Sequence, residues 1–429
     1  MRHSAWSSPR YVWRVRLRRL LGRTRSGQVL KRLVRARRAR QAPLPEPSPR
    51  RSGSRLAPGK VQNVLLVSHC DFTGNSALHV YAIACELERR GLSPAIAVPA
   101  NARSVADLGS PSFPVLSYRD VRKGRLRFAD GRGIDLIHAF TPRADVRTFV
   151  DELVSIGGYP FVVHLEDNED AIVGGRTDSL GARDFLERAS GVTVVIDRLL
   201  ELKPPSVPGA VVWPGFDESV LSPARPRSEV RAALGLRSDQ LALVYTGNVH
   251  ESNLEEMRSL YAAVGGLRQQ GLPVVLVKTG WNFVHRSSLP PLGDGLHDLG
   301  WVARKHVPEL LAAADVLVQP GRPDAFNDYR FPSKLPEFLA SGRPVVLPRT
   351  NIGLHLEDRG EALLLQRGSA AEIREKVTLL AADPELRARI GERGREFALR
   401  ELRWSRNVDR IVELCDLARS AGLDPSRDR

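Results

Sequence analysis

The chain has 429 residues, 42% of them hydrophobic and 26% charged. That is too long for one compact domain and too apolar for a disordered chain, so two globular domains or one bilobal body is the expectation. Thirty-five glycines and 30 prolines exclude collagenous and low-complexity classes, and three scattered cysteines (Cys70, Cys85, Cys415) exclude a disulfide framework or structural zinc site and point to a reducing, cytoplasmic setting. The net charge of +15 is unevenly spread. Residues 1–60 hold 18 of the 64 Lys and Arg and only one acid, Glu46, a net +17 that leaves −2 for the remainder. A nearly neutral body makes nucleic acid an unlikely partner.

Residues 1–58 do not read as a signal peptide, because arginines interrupt every apolar cluster. No stretch of the chain approaches the roughly 18–20 apolar residues that span a bilayer. Trp13, Leu17, Leu20 and Leu21 fall at i, i+4, i+7 and i+8 among Arg14, Arg16, Arg18, Arg19 and Arg23, and Val29, Leu30, Leu33 and Val34 repeat the scheme. An apolar stripe set among cations suits a helix lying on an anionic membrane surface, here the inner face of a membrane. A disordered solubilising arm is the other reading, and nucleic-acid binding has only the charge behind it. Prolines 43, 45, 47 and 49 then mark a linker.

From Val61 the pattern changes. VQNVLLVSH predicts a strand, CDFTGNSA a loop, HVYAIACELERRG a helix closed by Gly91, and SPAIAVP a second strand. That unit implies parallel pairing through a right-handed crossover. The alternation continues through strands at 134–140, 161–167 and 192–196, with helices near 144–156 and 180–190, and a short strand ending near 217. It restarts with LALVYTGNVH (241–250), a helix to about 269, PVVLVKTG (273–280), HVPELLAAADVLVQP and KLPEFLASGRPVVLP, and closes on a helix from about Asn407 to Leu417. The expected fold class is α/β, with two Rossmann-like doubly wound domains facing a cleft and a basic N-terminal extension. Its boundaries are a tail and linker over 1–58, an N-terminal acceptor-side domain over 59–217, a C-terminal donor-binding domain over 218–405, and a helix returning to the first domain over 406–429. Open parallel sheets bind ligands beyond the carboxyl ends of their strands, which face that cleft.

RFPSKLPEFLASGRPVV (330–346) is the most informative segment. Ser333 can cap a helix and Gly342 can end it. Lys334 and Glu337 then share one face of its first turn. A helix N-terminus and a cation suit phosphate, and a carboxylate one turn on can accept hydrogen bonds from two ribose hydroxyls, so together they suggest a nucleotide. The bland alternative leaves Lys334 solvated and Glu337 complementing the helix dipole, although a capping box would need its acid at 336, where Pro336 stands.

This segment resembles the nucleotide-binding signature of the GT-B glycosyltransferases, specifically the large retaining "group 1" family. DFTGNSA, IDLIHAF, VVHLED, VVWPGFD, LVYTGNV, LGWVARKHVPELLAAADVLVQP and the closing LRWSRNVDRI match in the same order across roughly residues 61–410. The resemblance implies transfer of a sugar from a nucleotide-diphosphate donor to an acceptor hydroxyl of a glycan or lipid-linked glycan, with retention and without a cofactor. Since no paired Asp ligands of a metal-dependent transferase are evident in the sequence, no metal ion is expected. Donor-binding positions are then Gly74, Asn75, Gly247, Asn248, Lys278, Val302, Arg330, Ser333, Lys334 and Glu337. Three features depart from the family pattern. The position eight before Glu337, where an acid is usual, is Tyr329; GNVHESNLEE lacks the usual basic pair; and the first loop has one glycine, Gly74.

The family also places a histidine near the donor sugar at the end of the strand written here FVVHLED. Aligned from Pro160 that position is Glu166, and aligned by residue type it is His164. His164, Glu166 and Asp167 are therefore the catalytic candidates, within an acid cluster that includes Glu169 and Asp170 and would repel itself unless it faced water or a polyhydroxyl ligand. His138 and His69 are weaker candidates at similar strand ends. Two alternatives share the fold: a nucleotide-sugar epimerase, and a catalytically degenerate scaffold kept alive by Tyr329 and the neutral GNVHESN loop.

Overall fold

The computed structural model describes residues 61–72, 74–168 and 179–422. The tail, its linker, Glu169 and Asp170 lie outside them.

Two parallel sheets carry the fold. The first holds β1 (Asn63–Ser68), β2 (Ser93–Val98), β3 (Val115–Ser117), β4 (Leu136–Phe140), β5 (Phe161–Leu165), β6 (Gly191–Val194) and β7 (Gly209–Val211), in the order β3-β2-β1-β4-β5-β6-β7. The second holds β8 (Leu241–Thr246), β9 (Val274–Thr279), β10 (Leu296–Asp298), β11 (Val316–Val318), β12 (Val345–Pro348) and β13 (Leu363–Leu365), in the order β10-β9-β8-β11-β12-β13. Every paired strand runs parallel to its neighbour. Sheets covered by helices on both faces need strands apolar on both faces, and Val64, Leu65, Leu66 and Val67 are all fully buried. In each sheet the strand order reverses beside the first strand, between β1 and β4 and between β8 and β11. The loops leaving these strands are where a doubly wound fold holds its ligand. The three-residue strands β3, β10 and β13 were not expected from the sequence, being too short to show a period.

Four helices position the site: α1 (Asn75–Arg89) after β1, α2 (Leu254–Gln269) after β8, α3 (Leu335–Ala340) between β11 and β12, and α4 (Asp409–Gly422) at the end. α4 returns to the first domain. Ile411, Leu414 and Cys415 enter the core that holds Val64, Leu66 and Val162, and Leu414 packs on Gly191, where a β-carbon would lie 3.0 Å from it. The domains also meet directly, through a bridge pairing of the Asp167 and Arg330 backbones and a His355–Asp197 contact of 3.3 Å.

Candidate active site

The cleft between the sheets encloses about 730 Å³, within the usual range for small-molecule sites. On its C-terminal side the chain leaves β8 through Gly247 and Asn248, both lining the cavity. Gly247 adopts φ +157, and a β-carbon there would crowd Lys334 Nζ at 2.8 Å and the Tyr245 hydroxyl at 3.0 Å. Asn248 braces the loop: its Oδ1 accepts from the Trp281 N–H at 2.8 Å and its carbonyl from Asn253 Nδ2 at 3.0 Å.

Lys334 reaches this loop from the start of α3. Its Nζ donates to Gln319 Oε1 at 3.1 Å and lies 4.3 Å from the centre of the Tyr245 ring. Burial, reinforced by Arg330 and opposed by Glu256, pushes its pKa down to about 7. Among the described residues no carboxylate pairs with it, an arrangement that an anion in the cleft would relieve. Arg330 stands beside it, 3.5 Å from Glu256 and 4.8 Å over the Phe326 ring. The Arg330 carbonyl is held at 2.9 Å by Asn351, which adopts φ +43.

Ser333 lines the cavity but does not cap the helix. Lys334 is the N-cap, without a side-chain cap, and α3 has only six residues. Cationic character here therefore rests on side chains rather than on a long helix end. Glu337 also lines the cavity and is buried, and Arg304 grips it with two nitrogens, one of them at 3.0 Å. The carboxylate expected to stand open for a ribose thus already has a cationic partner.

Across the cleft, Asp167 lines the cavity while Glu166 sits just behind it. The Glu166 carboxylate accepts from Thr141 Oγ1 at 3.0 Å and contacts His79 Nδ1 at 2.7 Å. His79, on α1, lines the cavity in its place, its ring 5.6 Å from that of Trp404.

Of the sequence candidates, Asp167, Gly247, Asn248, Val302, Arg330, Ser333, Lys334 and Glu337 converge on the cavity. Glu166, Lys278, His164, His138, Gly74 and His69 do not line it. Lys278 is fully buried in β9 and donates to the carbonyls of Thr279 at 3.3 Å and Gly280 at 3.1 Å, with Asp298 at 3.5 Å, so it braces the strand end. His164 is packed inside the sheet, Nδ1 2.7 Å from Thr193 Oγ1, a hydroxyl it shares with His138 Nε2 at 3.0 Å. Burial pushes its pKa down to about 4, which suits a neutral packing residue. Gly74 backs onto Cys70, whose Sγ would lie 2.9 Å from a β-carbon there, and Asn75 opens α1. His69 follows β1 away from the cavity lining.

Sequence reasoning missed His79, Arg304 and Gln319. Arg304 lay within the matched segment LGWVARKH, so its charge was a usable signal. His79 and Gln319 carry no local pattern.

Residues 256–413 match the family model described as "Glycosyl transferase-like". No curated protein matches the chain. Among solved structures, HepE of Anabaena, in complex with UDP-glucose, aligns at TM-score 0.65 and 17% identity over 82% of this chain and 98% of its own. Sucrose-phosphate synthase of Thermosynechococcus elongatus aligns at 0.61 and 15% over 82% and 98%. A UDP-N-acetylglucosamine 2-epimerase described from Listeria monocytogenes aligns at 0.55 and 10% over 82% and 95%. At such identities these likenesses speak for the fold, and the matched family adds the type of C-terminal domain. The chain has the two-domain GT-B fold, and residues 256–413 of it are similar to the glycosyl transferase-like family.

Proposed function

We propose that the cleft binds a nucleotide-diphosphate sugar and transfers the sugar to an acceptor hydroxyl of a glycan or lipid-linked glycan, with retention of configuration as the family resemblance implies. The observation that carries this reading is Lys334, a half-buried lysine that among the described residues has no carboxylate partner, set beside Arg330 at the loop leaving β8. Both would face the diphosphate and stabilise the charge that develops as the sugar leaves it. Glu337 would share its carboxylate between Arg304 and the ribose, with Val302 beside the base. In this reading the charge of the diphosphate is met by the side chains of Lys334 and Arg330.

An apolar and cationic tail would bring the protein to an anionic membrane, at its cytoplasmic face, where lipid-linked acceptors reside. Among the described residues no helix is long and apolar enough to cross a membrane.

HepE makes UDP-glucose the first donor to try. Calorimetric titration of the full chain with UDP, GDP and ADP, followed by turnover of the corresponding sugar nucleotides with and without acceptor, tests the proposal. Tight binding of one diphosphate and acceptor-dependent release of it are expected. Isomerised sugar nucleotide without acceptor would favour the epimerase, and no binding of any diphosphate would favour the scaffold.

A further inference from the structure

The family resemblance puts a histidine near the donor sugar at the end of β5; aligned from Pro160 that position is Glu166, and the alternative, His164, is packed inside the sheet. Glu166 is buried and does not line the cleft. Burial alone would raise its pKa, but the His79 hydrogen bond, helped by Ser76, outweighs that and holds it at about 2. An ionised carboxylate only accepts hydrogen bonds, so at 2.7 Å it fixes the His79 proton on Nδ1 and leaves Nε2 as the polar atom the ring can offer a ligand.

The surrounding backbone is specialised for this pair. Thr141, a β-branched residue, is held at φ +55 while its hydroxyl donates to Glu166 at 3.0 Å. Such a conformation persists only where its neighbours enforce it, and it clusters at functional sites. The pair also lies at the right place. Asp167, the residue after Glu166, is bridge-paired with Arg330, so the imidazole stands beside the junction where the phosphate-facing cations meet the N-terminal domain. A sugar attached to a diphosphate at Lys334 and Arg330 would occupy that junction.

We propose that His79, oriented by Glu166, hydrogen-bonds a hydroxyl of the sugar on the nucleoside diphosphate, so that α1 supplies the imidazole which the family resemblance would place after β5. His79 is the substrate-touching group and Glu166 its positioning residue. The inference rests on the nucleotide-sugar reading above.

The test compares UDP with UDP-glucose by titration of the full chain. His79→Ala should bind UDP within twofold of the wild type and lose tenfold or more in affinity for UDP-glucose. Glu166→Gln, which removes the acceptor charge that fixes the tautomer, should show the same split to a smaller extent, a selectivity that a purely structural role would not produce. One of the UDP-glucose analogues lacking a single sugar hydroxyl should bind the wild type and His79→Ala equally. Should His79→Ala melt far below the wild type, His79→Phe fills the ring volume without nitrogen and carries the same comparison. Equal losses for UDP and UDP-glucose, or no loss for either, would overturn the role of His79 while leaving the nucleotide-sugar reading in place. Failure of the wild type to bind either ligand would overturn both.

Discussion

Tyr329 donates a hydrogen bond to Glu201 at 2.8 Å, tying the C-terminal domain to the N-terminal one at the position where an acid eight residues before Glu337 would be expected. Arg198 completes the contact, 2.6 Å from Glu201 and 5.3 Å over the Tyr329 ring. The departure from the family pattern is therefore occupied by a link between domains. Tyr329→Phe should leave the circular dichroism spectrum unchanged and enlarge the radius of gyration of the unliganded protein in small-angle scattering. Tyr329→Glu, which sets a carboxylate against Glu201, should enlarge it further. Superimposable scattering from all three proteins would show that the link does not hold the cleft.

Lys334 should make donor binding depend on pH. With an unliganded pKa near 7, it must take up a proton to meet a diphosphate at neutral or higher pH, so affinity should fall as pH rises from 7 towards 9, and binding should draw protons from the buffer. Calorimetry in buffers of different ionisation heat measures this directly. Lys334→Arg should abolish the dependence, and Lys334→Ala should weaken UDP far more than uridine. The sign for folding is the reverse. The unfolded chain holds this proton up to about pH 10.5 and the unliganded fold only to about 7, so the contribution of Lys334 to stability rises with pH between those values. Lys334→Met should therefore stabilise the unliganded fold at pH 7 while destroying binding.

Breaking the Glu337–Arg304 pair should be felt in both stability and affinity. Glu337→Gln leaves the Arg304 guanidinium with Asp217, 3.9 Å away, as its remaining acid. Chemical denaturation of Glu337→Gln, Arg304→Gln and the double variant should give a coupling energy of about 1–3 kcal/mol. Donor affinity should fall by about 1.5–3 kcal/mol in Glu337→Gln, the range for hydrogen bonds to charged groups. Additive stabilities would mean that the pair is screened, and unchanged donor affinity would remove Glu337 from the ribose.

Deleting residues 1–57 should release the protein from vesicles rich in anionic lipid, because a net +17 lies within the first 60 residues. Cosedimentation measures this, and rising salt should weaken binding of the full chain in parallel. Binding that survives the deletion would move the membrane contact to the body.

What the sequence displayed depended on how local the signal was. Runs such as Val64–Val67 announce a buried parallel strand unaided, and the three-residue spacing of Lys334 and Glu337 places both on one turn of chain. The His79–Glu166 pair joins residues 87 positions apart, and Gln319 meets Lys334 only through sheet packing, so neither leaves a pattern to read. Lys278 misled because a cation at the end of an apolar strand looks like a ligand, whereas the fold turns it inward to satisfy strand-end carbonyls. Ser333 does not cap the helix, which starts one residue later with Lys334 as its N-cap, and Pro336 in the first turn has no N–H to offer the Ser333 hydroxyl.

Thr141 and Asn351, at φ +55 and +43, have a consequence for how this protein can change. Each holds one wall of the cleft, Thr141 through Glu166 and Asn351 through the Arg330 carbonyl. Backbones of this kind cost on the order of 1–3 kcal/mol apiece, and glycine would relieve either one. Thr141→Gly and Asn351→Gly would release that strain but remove the hydrogen bonds to Glu166 and to the Asn327 and Arg330 carbonyls, loosening both walls. At these two positions backbone strain and a fixed cleft wall come together, and neither can be given up without the other.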